Sequence, residues 1–163
     1  MEPMTEPTSP GSTPTWPEAN LDAVSRLHAL AAGIGGATLM ETVIPAPFAV
    51  VWNLAADLER AVPESEWHVR SLRITRRDGD RVEALVIGLA GARDHFVGVL
   101  RPGWCLLQGR LLWIGMAATS ETHGTRFALA AGLRVPGAAA LTPLVRRGVA
   151  RSLRRLAERV ADE

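Results

Sequence analysis

The stretch His123-Gly124-Thr125-Arg126-Phe127-Ala128-Leu129-Ala130-Ala131-Gly132-Leu133-Arg134-Val135-Pro136-Gly137 decides the fold. Thr125, Phe127, Leu129, Ala131, Leu133 and Val135 fall at every second position, the period of a strand with one face on a core. The other face carries Arg126 and Arg134 with small residues between them. Pro136-Gly137 ends the run, and Thr142-Pro143 opens a long helix, since proline is tolerated at the first helical position. On a helical wheel Val145, Val149, Leu153, Leu156 and Val160 fall within an arc of roughly 80°. Arg147, Arg151, Arg154 and Arg155 spread around the opposite side. This helix has one face for a sheet and one for water. Gly148, at its middle, costs ~1 kcal/mol of helix propensity and marks a kink or a close approach.

Upstream, from Trp67 to Val135, short segments rich in Val, Leu, Ile, Phe and Trp alternate with turn signals. The signals are Arg77-Asp78-Gly79-Asp80, Ala90-Gly91, Pro102-Gly103, Gly115 and His123-Gly124. Asp-Gly between strand-like runs is a hairpin signal. The spacing predicts an antiparallel meander of about six strands. Before it stands another strand, Thr38 to Ile44, which Pro45-Ala46-Pro47 stops. Phe48, Val51, Trp52 and Ala55 then repeat at helical spacing, and a second short helix, Asp57 to Val62, is expected to end at Pro63. Asn20 is the expected N-cap of a helix from Leu21 to Ala32, with Gly33 at its C-terminal cap. The predicted domains are therefore a disordered tail over 1–20, an extra helix and linker over 21–36, and one ligand-binding domain over 37–163. An antiparallel sheet curled around a long helix leaves a hollow where the helix does not fill it. Small inward residues such as Ala131, and Val82, Ala84 and Gly88 if their face is inward, would widen it into an apolar pocket.

Composition excludes several alternatives. The chain has 163 residues, 47% of them hydrophobic, and a net charge of +1; it is long enough for a core and too apolar for wholesale disorder. Its 18 basic residues are balanced by 17 acidic ones, so nucleic acid is not an expected partner. The absence of a basic leader and the lone Cys105 point to the cytoplasm. The apolar stretch from Leu27 to Met40 is too short to span a membrane. All the basic residues are arginine and there is no tyrosine, so neither a Schiff-base lysine nor a phenolic acid is available to any mechanism. Neither the histidines nor Cys105 show metal-ligand spacing, and Gly33-Ile34-Gly35-Gly36 follows a helix and leads into a strand, the reverse of a dinucleotide loop. No metal and no cofactor are expected.

Four stretches carry a resemblance to a known family. They are Ile44-Pro45-Ala46-Pro47-Phe48-Ala49-Val50-Val51-Trp52, Asp57-Leu58-Glu59-Arg60-Ala61-Val62-Pro63, His123-Gly124-Thr125-Arg126-Phe127 and the C-terminal amphipathic helix. In this order they resemble the helix-grip SRPBCC superfamily, which includes START lipid-transfer domains, the major birch pollen allergen and polyketide cyclases. The resemblance covers Thr38 to Asp162. It implies an α+β helix-grip fold: about seven antiparallel strands curved around the long C-terminal helix, with two short helices after the first strand. It also implies a hydrophobic ligand. Asp57 to Pro63 followed by Val69-Arg70-Ser71 is similar to the quinone-binding branch of the superfamily. Two functions stay open, a polyketide cyclase or dehydratase and a non-catalytic carrier of a lipid or quinone-like molecule. A homodimer also stays open.

Catalytic candidates are few. His95 is a candidate general acid–base, with Arg93 stabilising an enolate oxygen; the alternation of their strand leaves open that both face solvent. His68 and Arg70 share a face with Leu72 and Ile74, while the competing face, Trp67 and Val69, could equally be inward. The resemblance to aromatase/cyclases implies a pocket arginine on the sheet, for which Arg70 and Arg93 are the candidates. Trp67, Trp104 and Trp113 stand at strand ends, suited to cover a planar ligand, whereas Trp52 is expected in the core. Phe127, Leu129, Val149 and Leu153 are expected to line the pocket from the last strand and the helix. Cys105 is expected to be an inert buried thiol.

Overall fold

The computed structural model describes residues 20–66 and 68–163. The tail over 1–19 and Trp67 lie outside the described residues. The first helix, α1 (Ala23–Ala32), starts two residues later than Asn20 suggested, because Asp22 takes the cap: its carboxylate accepts the Ser25 amide at 2.9 Å. Gly33 ends the helix, as its position predicted. After β1 (Thr38–Ile44), Pro47 caps α2 (Phe48–Ala56). The following helix, α3 (Leu58–Ser65), runs past Pro63, where the sequence pointed to a stop. Proline removes only its own amide, and the last turn closes anyway through Glu66 N–H to Val62 O at 2.8 Å and the Ser65 hydroxyl to Ala61 O.

Six strands follow in meander: β2 (Val69–Asp78), β3 (Arg81–Gly88), β4 (Arg93–Arg101), β5 (Trp104–Gln108), β6 (Leu112–Glu121) and β7 (Gly124–Leu133). With β1 they form one curved seven-stranded antiparallel sheet in the order β1-β7-β6-β5-β4-β3-β2. Only the β1–β7 pair is non-local, and it lets the chain cross the sheet through α2 and α3. Gly115 is not the turn its type suggested; it sits inside β6, and the β5–β6 turn is made at Gly109 to Leu111. The final helix, α4 (Thr142–Ala161), buries Val149, Leu153, Leu156 and Val160 on the stripe the wheel predicted.

The sheet serves two cores. On its concave face α2, α3 and α4 pack over Ile44, Leu72, Val82, Ala84, Phe96, Leu100, Cys105, Leu107, Met116, Phe127 and Leu129. Trp52 joins this core, its ring stacked at 6.4 Å on Phe48. On the convex face α1 lays Val24, Leu27 and Ala31 over Trp113, Ala117, Ala128 and Ala130. The small residues noticed on the outward face of β7 thus have a role: they make the trough that α1 fills. A side chain at Gly115 would stand 2.7 Å from Leu27 Cδ1, and one at Gly132 would stand 2.3 Å from Trp113 Nε1. Burying Leu27 completely contributes about 1.5–3 kcal/mol. No helix among the described residues is long and apolar enough to cross a membrane.

Candidate functional site

The concave face is closed at one end and accessible at the other. At the end where β7 begins, Ile44, Val51, Cys105 and Phe127 are at most 2% exposed. The Thr125 hydroxyl donates to Ala46 O there at 2.8 Å, tying the strand to the segment before α2. Burial pushes the Cys105 thiol up to about 12, so it stays a neutral, unreactive filler. At the opposite end, where β3, β5 and β7 finish and α4 begins, the same apolar face reaches solvent. Met40, Val86, Leu112, Ile114 and Val145 pack on the core yet remain only partly buried. Connectivity contributes to the difference: α2 follows β1 and covers the first end, whereas α3 runs back toward the second, where β2 begins.

Two sets of polar groups frame this open end. Asp94 alternates with His95, so it shares the concave side with Phe96. Its Oδ1 accepts the Arg110 amide at 3.1 Å, which fixes the β5–β6 turn. Gly109 makes this possible, since a Cβ there would lie 2.7 Å from Asp94 Oδ2 and 2.8 Å from the Phe96 ring. Across the opening, Glu66 accepts a hydrogen bond from the Ser152 hydroxyl of α4. The other Glu66 oxygen lies 3.6 Å from His68 Nδ1. Gly148 stands opposite that oxygen, 3.9 Å from where its Cβ would be, so the close approach its sequence position suggested is to Glu66. An acid–base pair thus sits at the α3–β2 junction, beside the middle of α4.

The residues singled out from sequence divide sharply. Phe127, Leu129, Val149 and Leu153 meet in the concave core. Trp104 and Trp113 do not reach it: they pair with Ala117 and Gly132, whose lack of bulk lets both indoles lie under α1 on the convex side. Arg93 and His95 also project from the convex face, because their strand turns Phe96 inward, and both are exposed. A catalytic group there is separated by the sheet from anything held under α4. Arg70 is exposed at a β-bulge near the start of β2, between Val69 and Ser71. Sequence reasoning passed over Glu66, Asp94 and Ser152. Gly148 was the available signal for the first and third, and strand alternation, once His95 is turned outward, for the second.

Two open recesses lie at the end where β7 begins. One, of about 500 Å³, runs between Pro45–Phe48 and the β6–β7 turn; the other, of about 340 Å³, lies between α2 and the β4–β5 turn. The second reaches the concave core at its edge, through Trp52 and Leu100, and the first touches it through Ala46 and Phe48.

No protein-family model matches the chain, and no curated protein does. Solved structures do. Protein TTHA0849 from Thermus thermophilus is 24% identical, with 77% of this chain and 97% of that one covered and a TM-score of 0.58. The Zhui aromatase/cyclase from Streptomyces sp. R1128 is 14% identical, covering 77% and 93%, with a TM-score of 0.59. Ara h 8.0201 is 11% identical, covering 78% and 98%, with a TM-score of 0.57. At these identities the likeness is one of fold. The chain has the helix-grip fold that its four sequence stretches implied, and α1 lies on the outside of it.

Proposed function

We propose that the protein binds a hydrophobic small molecule between the sheet and α4, admitted at the end where the concave face is accessible. One observation carries this reading: apolar side chains aligned with the core, Val86, Ile114 and Val145 among them, stay partly exposed together at that end. Leaving such groups in water costs about 25 cal/mol per Å², and an apolar ligand removes that cost. Leu129, Val149 and Leu153 form the floor and roof of the site, and Phe127 its closed end. Asp94 and Glu66, at the rim, orient the polar end of the ligand, the usual division of labour in small-molecule sites. Carriage is favoured over cyclisation because Arg93 and His95 project from the convex face. A neutral buried Cys105 suits work in a reducing cytoplasm.

A second reading, proton transfer to or from a bound carbonyl compound, draws on the Glu66–His68 pair beside α4 and on the likeness in fold to an aromatase/cyclase. Glu66→Gln separates the two: it abolishes turnover if the pair is catalytic and leaves ligand affinity within a few-fold if the protein only carries.

Titration with Nile red tests binding itself. The wild-type protein should enhance and blue-shift the dye emission, and a long-chain fatty acid or a polycyclic quinone should displace it. Ile114→Trp fills the open end and should weaken binding about tenfold or more, the effect of about 1.4 kcal/mol. No enhancement, or equal binding by Ile114→Trp, refutes the proposal.

A further inference from the structure

Eight large apolar residues are exposed among the described residues, Leu21, Val43, Val50, Leu89, Val97, Leu111, Leu141 and Leu144, and the four leucines other than Leu21 gather at the open end. Leu89 (51% exposed) is in the turn after β3, Leu111 (46%) in the β5–β6 turn, and Leu141 (43%) and Leu144 (65%) where α4 begins. Single exposed leucines are ordinary, but a group collected around one opening marks a surface that meets something apolar. Connectivity holds the group together: β3, β5 and β7 all finish here. Leu89 N–H donates to His68 O at 3.0 Å, and Arg134 N–H donates to Leu111 O at 2.7 Å.

Charge at this end is one-sided, although nine other arginines of the described residues are exposed elsewhere. Arg70, Arg93, Arg110, Arg134, Arg146 and Arg147 are all exposed at this end, in a chain whose net charge is only +1. Its facing carboxylates, Glu66 and Asp94, are partly buried and already accept hydrogen bonds from Ser152 and Arg110. The rim therefore presents aliphatic side chains on separate turns, with uncompensated guanidinium groups around them.

We propose that this rim docks on the surface of an anionic lipid bilayer. The leucines enter the boundary between headgroups and acyl chains, and the arginines pair with lipid phosphates. Leucines on separate turns make separate points of insertion, which a fluid bilayer accommodates and a rigid protein face does not. The attachment is to the surface only, since no described helix can span. Docking seats the opening under α4 against the acyl region, so an apolar molecule passes between lipid and protein without crossing water. This goes beyond ligand binding and is measurable without any ligand.

Vesicle flotation tests it, with phosphatidylcholine alone and with equimolar phosphatidylcholine and phosphatidylglycerol, at low and high salt. The wild-type protein should float with the mixed vesicles at low salt, and far less with phosphatidylcholine or at high salt. Leu111→Asp/Leu144→Asp and, separately, Arg146→Glu/Arg147→Glu should lower partitioning roughly tenfold or more. Both double variants change exposed side chains and should keep the circular dichroism spectrum and thermal midpoint. Neither should alter Nile red binding under α4, whereas Ile114→Trp should alter dye binding and leave flotation intact. Absence of flotation with mixed vesicles, or equal flotation of both double variants, overturns the proposal. Retention on immobilised polyglutamate without flotation also overturns it, in favour of an acidic protein partner.

Discussion

Close approaches at single positions give the sharpest expectations. A Cβ at Gly132 would stand 2.3 Å from Trp113 Nε1 and 3.0 Å from Cε2, both atoms of a rigid, buried ring. Gly132→Ala should therefore destabilise by about 1–3 kcal/mol through overpacking. Gly115→Ala should cost less, because its contact is the end of the Leu27 side chain, which can rotate away. Urea unfolding of the two variants checks the order, and a larger effect at Gly115 would contradict this packing. Asp22 supplies a titration. The Ser25 amide, first, then the Ser25 hydroxyl and Arg126 hold its carboxyl below the ordinary aspartate range, against the opposing effect of burial. Because the folded value is the lower one, its stabilisation is complete above the unfolded value of about 3.9 and is lost as pH falls through the folded value. Protection factors of the α1 amides against hydrogen exchange should fall over that acid window and lose most of this dependence in Asp22→Asn. Identical profiles would remove Asp22 as the anchor.

At the scale of elements, α1 and α4 grip opposite faces of one sheet. Leu27 is fully buried between α1 and the trough over β6 and β7. Leu27→Ala should cost about 2–5 kcal/mol, measured by thermal or urea unfolding; a cost below about 1 kcal/mol would mean that α1 only rests on the sheet. Ligand affinity should change little, because α1 does not reach the concave side. Both helices were legible in the sequence for the same reason: their apolar residues recur at helical spacing over enough turns to be unambiguous. The destination of α1 was not legible. Val24, Leu27 and Ala31 announce a buried face without saying what covers it, and only the pairing of Gly132 with Trp113 and of Ala130 with Gly115 reveals the trough. The same ambiguity misplaced the indoles. A tryptophan at the end of a strand suits a rim, but Trp104 and Trp113 follow the parity of Leu106 and Gly115, which face outward.

For the whole molecule, the order of elements was enough. One strand, two short helices, a six-stranded meander and a long amphipathic helix close in only one simple way, with β1 beside β7 and the helix in the curve. The site was less legible, because it depends on strand parity and on contacts between distant segments. Phe127 and Leu129 could be placed inward from a clean alternation, whereas His95 and Arg93 sit in a strand where polar residues occupy both faces. Glu66 and Ser152 are 86 residues apart and meet only because α4 returns across the α3–β2 junction. What emerges is a molecule with direction: one end of its gripped face is closed by Ile44 and Phe127, and the other is open, apolar and rimmed with arginine. Native mass spectrometry of the purified protein measures the consequence most directly. The wild-type chain should carry a non-covalent apolar small molecule, released on collisional activation, and Ile114→Trp should fly bare. Bare wild-type protein that also takes up no added fatty acid or quinone, or an adduct retained in full by Ile114→Trp, would contradict a ligand site under α4.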